Sequence, residues 1–424
     1  MCRDALPLTT IRQPPRHHHH RTGTLTHPAL RQYSQGWWVN VEFELERDAF
    51  AEAIAWTAKG LPTRPVVPVT AGVVLEVVDD VLTVSGFDFE VLNRIEVPVT
   101  EKAGGRVLVS GRLLAEIARA LPPKDVRVTV EANRLAVRCG SARFNLPLLH
   151  IEDYPAVPDL PATSGKARGD VFATAVGQVT VAASRDETLP ILTGVRVEVG
   201  SDRLSLAATD RYRLAERQIP WTPTGTVPSA PLIVPAKTLA DVAKSLGSAS
   251  EVLLSMGTAD EAGFLGFSAQ GRQTLTRLLD GEFVKFASLW PTEVATSVEV
   301  DVAEFIAALK RVSLVAQRFA PVRLIFADGV VQLSAEADDE SSAEEELEVG
   351  LTGQPLTIGF NAGYLLDGLN AVTTPRARLS FTESSKPTVI TPVTGLEAGS
   401  PGNSQDDAMD GSYRYLVMSM RLRG

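Results

Sequence analysis

Few residues in this sequence carry the chemistry of catalysis. Acidic pairs stand at Asp79 and Asp80 and at Asp338 and Asp339, a grouping suited to a metal ion or to acid–base work. Both pairs fall in polar turns. No glycine-rich phosphate loop, Cys/His ligand set or Ser/His/Asp arrangement accompanies them. His150 is the only histidine outside the first 38 residues, which leaves imidazole chemistry one candidate. The run His17 to His20 could bind nickel or zinc, but four neighbours in a tail without periodicity form no fixed site. No intrinsic catalysis, cofactor or metal is therefore expected.

Binding chemistry is better represented. The chain nears its end with Leu416, Met418 and Met420, soft apolar side chains that suit an adaptable surface or, equally, a terminal strand packing its own core. Basic residues recur at Lys59, Arg64, Arg112, Arg119, Arg185, Lys237, Lys244, Lys310, Arg311 and Arg318, whereas acid is concentrated between Glu336 and Glu348. The net charge of −10 argues against a nucleic-acid binder, but its distribution allows a basic surface on an acidic body. Such a surface would hold phosphates without reading bases. Ordinary solvated helix charges are the alternative reading.

The elements that position these residues come in threes. Phe50, Gly72 and Asp88 recur as Phe172, Gly194 and Asp210, with steps of 22 and 16 residues kept. An alternating strand running into a helix appears at Val107 to Ser110, at Leu232 to Pro235 and at Leu356 to Asn361. Ser110, Pro235 and Asn361 occupy the cap position, 125 and 126 residues apart. Asp48, Asp170 and Asp301 are placed to cap a first helix in each block, whose apolar residues (Phe50 and Ile54; Phe172, Val176 and Val179; Phe305, Leu309 and Val312) follow the helical period. Alternating strands and short Asp-rich or Gly-rich turns follow. Each block reads helix, strands, helix, strands: an α+β domain with antiparallel sheets, two helices on one face, and a hint of an internal half-repeat. Pro-rich joints at Tyr154 to Pro161 and at Leu289 to Thr292 divide the chain into a leader, 1–38, and domains at 39–162, 163–292 and 293–424.

With 424 residues, 44% hydrophobic and 22% charged, the chain has the averages of a soluble globular protein and the length for two or three cores. No apolar stretch approaches the ~20 residues that span a bilayer, and the first thirty residues lack a signal's apolar core. Only Cys2 and Cys139 are present, so a disulfide framework is excluded. A cytoplasmic protein that does not bind membranes is expected. The leader reads as disordered; since the repeat begins near Val41, a native start near Val39 is the accompanying hypothesis.

Four segments carry a family resemblance: ATDRYRLA at 208–215, LPILTGVRVE at 189–198, IGFNAGYLLDGLN at 358–370 and YLVMSMRL at 415–422. In this order they resemble the bacterial sliding clamp, the beta subunit of DNA polymerase III, from about Val41 to Leu422. Arg211 and Tyr212 inside the ATD motif are most similar to clamps of high-GC Gram-positive bacteria. The resemblance implies three tandem repeats of the DNA clamp fold, in a head-to-tail homodimer ring with helices lining the hole and sheets outside. It implies a ring that encircles duplex DNA without sequence preference and gives the polymerase processivity. Replicative polymerase, clamp loader and repair proteins would dock short peptides in a cleft between the second and third domains. By motif, that cleft falls on Leu192, Thr209, Arg211, Tyr212, Arg213, Leu214, Pro291, Asn361, Tyr364, Pro387, Leu416, Met418, Ser419, Met420 and Arg421. Arg64 matches a family DNA-contacting arginine. Arg185 lies beside a loop used similarly, where Pro190 and Ile191 replace the usual aromatics. With Arg112, Arg119, Lys237, Lys244, Lys310 and Arg311 they form the candidate DNA surface.

One departure stands in the cleft itself. Ser419 occupies the place where the family commonly has proline between two methionines, and Arg423 and Gly424 extend the usual end. Serine frees the backbone and restores a donor. Since peptide-like inhibitors of this cleft exist for the family, a variant second copy tolerating such an inhibitor is one alternative. A protein-binding scaffold that never encircles DNA is the other.

Overall fold

The computed structural model describes residues 41–257, 263–317, 320–337, 341–394 and 412–422. The leader, the pair Asp338 and Asp339, and Arg318 lie outside the described residues.

The first repeat runs β1 (Glu42–Leu45), α1 (Arg47–Lys59), β2 (Gly72–Val78), β3 (Val81–Phe87), β4 (Val91–Pro98) and β5 (Thr100–Ala103). It continues with β6 (Gly105–Ser110), α2 (Gly111–Ala120), β7 (Val126–Glu131), β8 (Arg134–Cys139) and β9 (Ala142–Leu149). The second repeats that order: β10 (Thr163–Arg168), α3 (Gly169–Thr180), β11 (Gly194–Val199), β12 (Arg203–Thr209), β13 (Arg213–Pro220) and β14 (Thr222–Pro223). Then come β15 (Leu232–Pro235), α4 (Ala236–Leu246), β16 (Glu251–Met256), β17 (Phe264–Ala269) and β18 (Arg272–Arg277). The third has β19 (Thr296–Asp301), α5 (Val302–Val312), β20 (Val322–Ala327), β21 (Val330–Ala337), β22 (Ser341–Glu348) and β23 (Gly350–Gly353). It ends with β24 (Leu356–Phe360), α6 (Ala362–Asn370), β25 (Arg376–Phe381), β26 (Thr388–Pro392) and β27 (Tyr413–Val417). The half-repeat is visible: strand, helix and three strands occur twice in each block, with β5, β14 or β23 between.

Pairing obeys the same threefold rule. The halves exchange their opening strands: three strands of each first half pair with the opening strand of the second as β6-β2-β3-β4, β15-β11-β12-β13 and β24-β20-β21-β22, and those of each second half pair with the opening strand of the first as β1-β7-β8-β9, β10-β16-β17-β18 and β19-β25-β26-β27, all antiparallel. Repeats join edge to edge, β4 on β18 and β13 on β27, so each junction is a continuous hydrogen-bonded sheet. The apolar stripes of the helices fill the space against these sheets: Phe50, Phe172 and Phe305, one per first helix, are fully buried and each contributes about 2–3 kcal/mol of transfer free energy. One core serves the first repeat and another runs through the second and third.

Helix starts only partly follow the expected capping. Asp301 does cap α5, its Oδ1 accepting from the Glu304 N–H at 2.9 Å. Asn361 caps α6 by accepting from Tyr364 N–H at 3.1 Å. Asp48 and Asp170, in contrast, are the second residues of their helices, two positions past the caps Glu46 and Arg168. There a carboxylate meets the helix dipole, and Asp170 Oδ1 also accepts from the first-turn Val171 N–H at 2.9 Å. Ser110 and Pro235 hold the cap position with no side-chain bond. Asp79 and Asp80 form a tight turn, both with positive φ (52° and 62°), a hairpin role for one of the acid pairs.

Candidate functional site

The turn between β12 and β13 builds one wall of the site. Asp210 Oδ1 accepts from Tyr212 N–H at 3.0 Å and Arg213 N–H at 3.1 Å, while the Thr209 hydroxyl donates to Arg213 O at 2.6 Å. The turn requires φ = 81° at Arg211, a left-handed conformation that costs a non-glycine residue about 1 kcal/mol. The first repeat makes the same turn, Asp88 Oδ1 accepting from Glu90 and Val91 N–H with φ = 77° at Phe89.

This turn lifts Tyr212 into solvent, 53% exposed, where it stacks on Tyr364 of α6 with centroids 6.1 Å apart. Beneath them Arg213 is buried. Its guanidinium lies 4.5 Å from the Tyr364 ring centroid and bonds both Asp210, at 2.8 Å, and Asp367 of the third repeat. Burial works against the charge on Arg213, but Tyr415, Asp367 and Asp210 outweigh it and raise its pKa. Burial likewise pushes the Tyr415 phenol well up, and its hydroxyl donates to Tyr364 O at 2.8 Å. An ionic and aromatic cluster thus ties the second repeat to the third. It lines an open depression of about 400 Å³ together with Ser184, Arg185, Asp186 and Asn361.

The apolar floor lies on the other face of the junction. Leu214 and Leu416 stand opposite each other across β13 and β27. With Leu192 and Thr209 they are buried, yet they are not part of the core under the helices. Met418 is 39% exposed at the lip, its N–H bonded to Tyr212 O at 2.8 Å; Met420 N–H bonds Gly359 O at 2.7 Å. Half-buried Ser419 sits between these two bonds, so the terminal segment straps the second repeat to β24 of the third. Pro387 precedes Thr388, which pairs with Val417, and Pro291 is half-buried in the segment between the repeats. Arg421 is exposed. The motif-based cleft residues therefore gather around the junction of the second and third repeats. Reasoning from sequence missed Asp367 and Tyr415; their spacing on α6 and β27 reads only as ordinary helix and strand until Arg213 is seen between them.

The matching place at the first junction is filled by the chain itself. Phe87, Leu92, Leu108 and Leu275 pack with Tyr154 of the following segment, and the Tyr154 hydroxyl accepts from Phe87 N–H at 2.6 Å. Tyr154 thus fills the groove at the first junction.

Of the basic candidates, Arg112 and Arg119 lie on α2, Lys237 and Lys244 on α4, and Lys310 and Arg311 on α5, all exposed; Arg64 and Arg185 are exposed on loops. Arg311 is engaged by Glu345 of β22, with Nε 2.9 Å from the carboxylate. Among the described residues no group of acidic, Cys and His side chains could hold a metal ion, and no helix is long and apolar enough to cross a membrane.

Three α+β repeats joined through their sheets, with two helices each, define a DNA clamp fold. The DNA polymerase III beta subunit family matches along the chain, its N-terminal domain at 41–158, its central domain at 167–285 and its C-terminal domain at 287–398. The beta sliding clamp of Streptomyces coelicolor is 46% identical over 91% of this chain and 100% of its own length. The beta sliding clamp homolog GriR of Streptomyces muensis is 42% identical over 90% of this chain and 100% of its own. The clamp of Pseudomonas aeruginosa bound to griselimycin superposes with TM-score 0.80 at 26% identity, covering 90% of this chain and 100% of that one. That of Bacillus subtilis gives 0.81 at 25%, covering 91% and 100%. The chain belongs to the beta sliding clamp family.

Proposed function

We propose that two copies of this chain close head to tail around duplex DNA and slide with the replicative polymerase in the cytoplasm, without catalysis of their own. One observation carries this reading: the rule that joins the repeats leaves two matching edges open. Within the chain, the fourth strand of a repeat pairs with the ninth of the next, β4 with β18 and β13 with β27. Among the described residues, β22 of the third repeat pairs only with β21, and β9 of the first leaves most of its outer edge free beyond Leu148 and Leu149. Pairing β22 of one copy with β9 of another, twice, gives a ring of six repeats in which every fourth strand meets a ninth. Charge supports it. The β22 edge presents exposed Glu344, Glu346 and Glu348, and the β9 edge presents exposed Arg143 directly opposite Arg138. Arg138 is already paired with Glu131 at 2.6 Å, and exposed Arg143 beside it offers a cation to an acid of β22.

A closed ring needs only weak, exchangeable phosphate contacts, which exposed cations on α2, α4 and α5 supply. The cleft beside Tyr212, Tyr364 and Met418 would take peptide segments of polymerase, clamp loader and repair proteins. After loading onto nicked circular plasmid, the protein is expected to stay on the circle through gel filtration and to leave once the plasmid is cut. Loss from intact circles by a confirmed dimer with a competent loader would favour a non-encircling scaffold.

A second reading is favoured by Ser419, by the likeness to GriR and by the griselimycin-bound neighbour. In it the chain is a variant second clamp whose altered strap tolerates a cleft-binding inhibitor. Ser419→Pro would then tighten griselimycin binding by at least tenfold in calorimetric titration; unchanged affinity would end this reading.

A further inference from the structure

Glu216 of β13 and Arg414 of β27 face each other across the junction of the second and third repeats. Both Arg414 Nε and Nη2 donate to Glu216 Oε2, at 2.9 and 2.6 Å, and the carboxylate side chain is only 11% exposed. The same guanidinium covers Trp290, its Cζ 4.0 Å from the ring centroid. The next pair along this face, about 7 Å away by strand spacing, is the cleft floor, Leu214 and Leu416.

Trp290 belongs to the segment linking the repeats, and Pro291 follows it. The segment's course over the strands is held at intervals: Leu279 N–H donates to Ile233 O at 2.9 Å, and Arg196 of β11 lies 5.7 Å from the Phe286 ring centroid. Arg414 makes the last such hold before Pro291. Proline has no N–H to anchor itself, so its placement depends on its neighbour.

We propose that Glu216, Arg414 and Trp290 are positioning residues for the cleft: together they fix the linking segment so that Pro291 walls the Leu214 and Leu416 floor, and so set its affinity for apolar peptide ends. The inference rests on the peptide-docking reading above. Glu216 orients the guanidinium by a charge-assisted pair of bonds, and the oriented cation holds the indole face. A wall ordered in advance spares the peptide the cost of ordering it, so its loss speeds dissociation.

The probe is a labelled, acetylated pentapeptide ending in Leu-Phe, whose apolar side chains suit a leucine and methionine floor. In fluorescence anisotropy, Arg414→Ala and Trp290→Leu each weaken its binding about tenfold, chiefly through faster dissociation. The double variant is no weaker than either single one, and Arg414→Lys recovers part of the loss. Tryptophan emission, assigned by difference against Trp290→Phe, shifts in Arg414→Ala before any peptide is added. Equal affinity of the peptide for the unaltered chain and both single variants overturns the proposal and leaves the cleft reading standing. Failure of the unaltered chain to bind overturns both.

Discussion

At the scale of the residue, a buried cation, Arg213, bridges the second and third repeats. Arg213 has 7% of its side chain exposed and two carboxylates, from different repeats, within bonding distance. Removing it leaves Asp210, itself 11% exposed, without its partner, and breaking a buried pair on one side costs about 3–5 kcal/mol. Arg213→Ala should therefore lower stability by about 3 kcal/mol in urea unfolding and release Tyr364 from its cation. Arg213→Lys should recover only part, because one ammonium cannot serve both acids in the fork geometry. Arg211 nearby shows how a residue can be misread from type alone: its exposed charge suggests a contact, whereas its φ of 81° shows that it also pivots the turn.

At the scale of the element, the segments that follow each repeat decide what its junction does. After the first repeat, Tyr154 plugs the groove, and burial pushes its phenol up to about 12. In the unfolded chain a tyrosine ionises near pH ~10, so as pH rises the unfolded state loses its proton first. The contribution of Tyr154 is thus complete below pH ~10 and falls away between there and pH ~12, by at most about 1.4 kcal/mol per pH unit. Tyr154→Phe should flatten part of this alkaline loss in urea unfolding from pH ~8 to ~12. At pH ~8 it should cost about 1–2 kcal/mol, since the Phe87 N–H is left unpaired. Buried Tyr413 and Tyr415, both with raised pKa, retain the remaining slope.

At the scale of the whole molecule, strand edges govern assembly. A strand edge left unpaired beside two that are paired by the same rule calls for a partner, and the acidic β22 against the arginines of β8 and β9 indicates its sign. If the proposed head-to-tail dimer closes at this seam, Glu344→Lys with Glu346→Lys should shift it to monomer in analytical ultracentrifugation. Adding Arg138→Glu and Arg143→Glu should restore association at least in part. Association unaffected by the first pair would detach ring closure from this seam. The exposed cations on the helices belong to the same scale, since none makes a site alone and their use depends on the ring that would enclose the DNA.

The threefold repeat and the order of helices and strands were legible in the chain, because apolar periodicity and recurrent turn residues are local and survive in each copy. Its helix caps were legible at Asp301 and Asn361, and misplaced by two residues at Asp48 and Asp170, where Glu46 and Arg168 hold the cap positions. Only the tertiary structure decided that Arg213 bridges two acids, that Tyr154 fills the first groove, that Glu345 engages Arg311, and that Glu216, Arg414 and Trp290 meet beside the floor. These contacts join residues up to 198 positions apart. No local pattern encodes such a pairing; it exists once strand register brings the partners face to face.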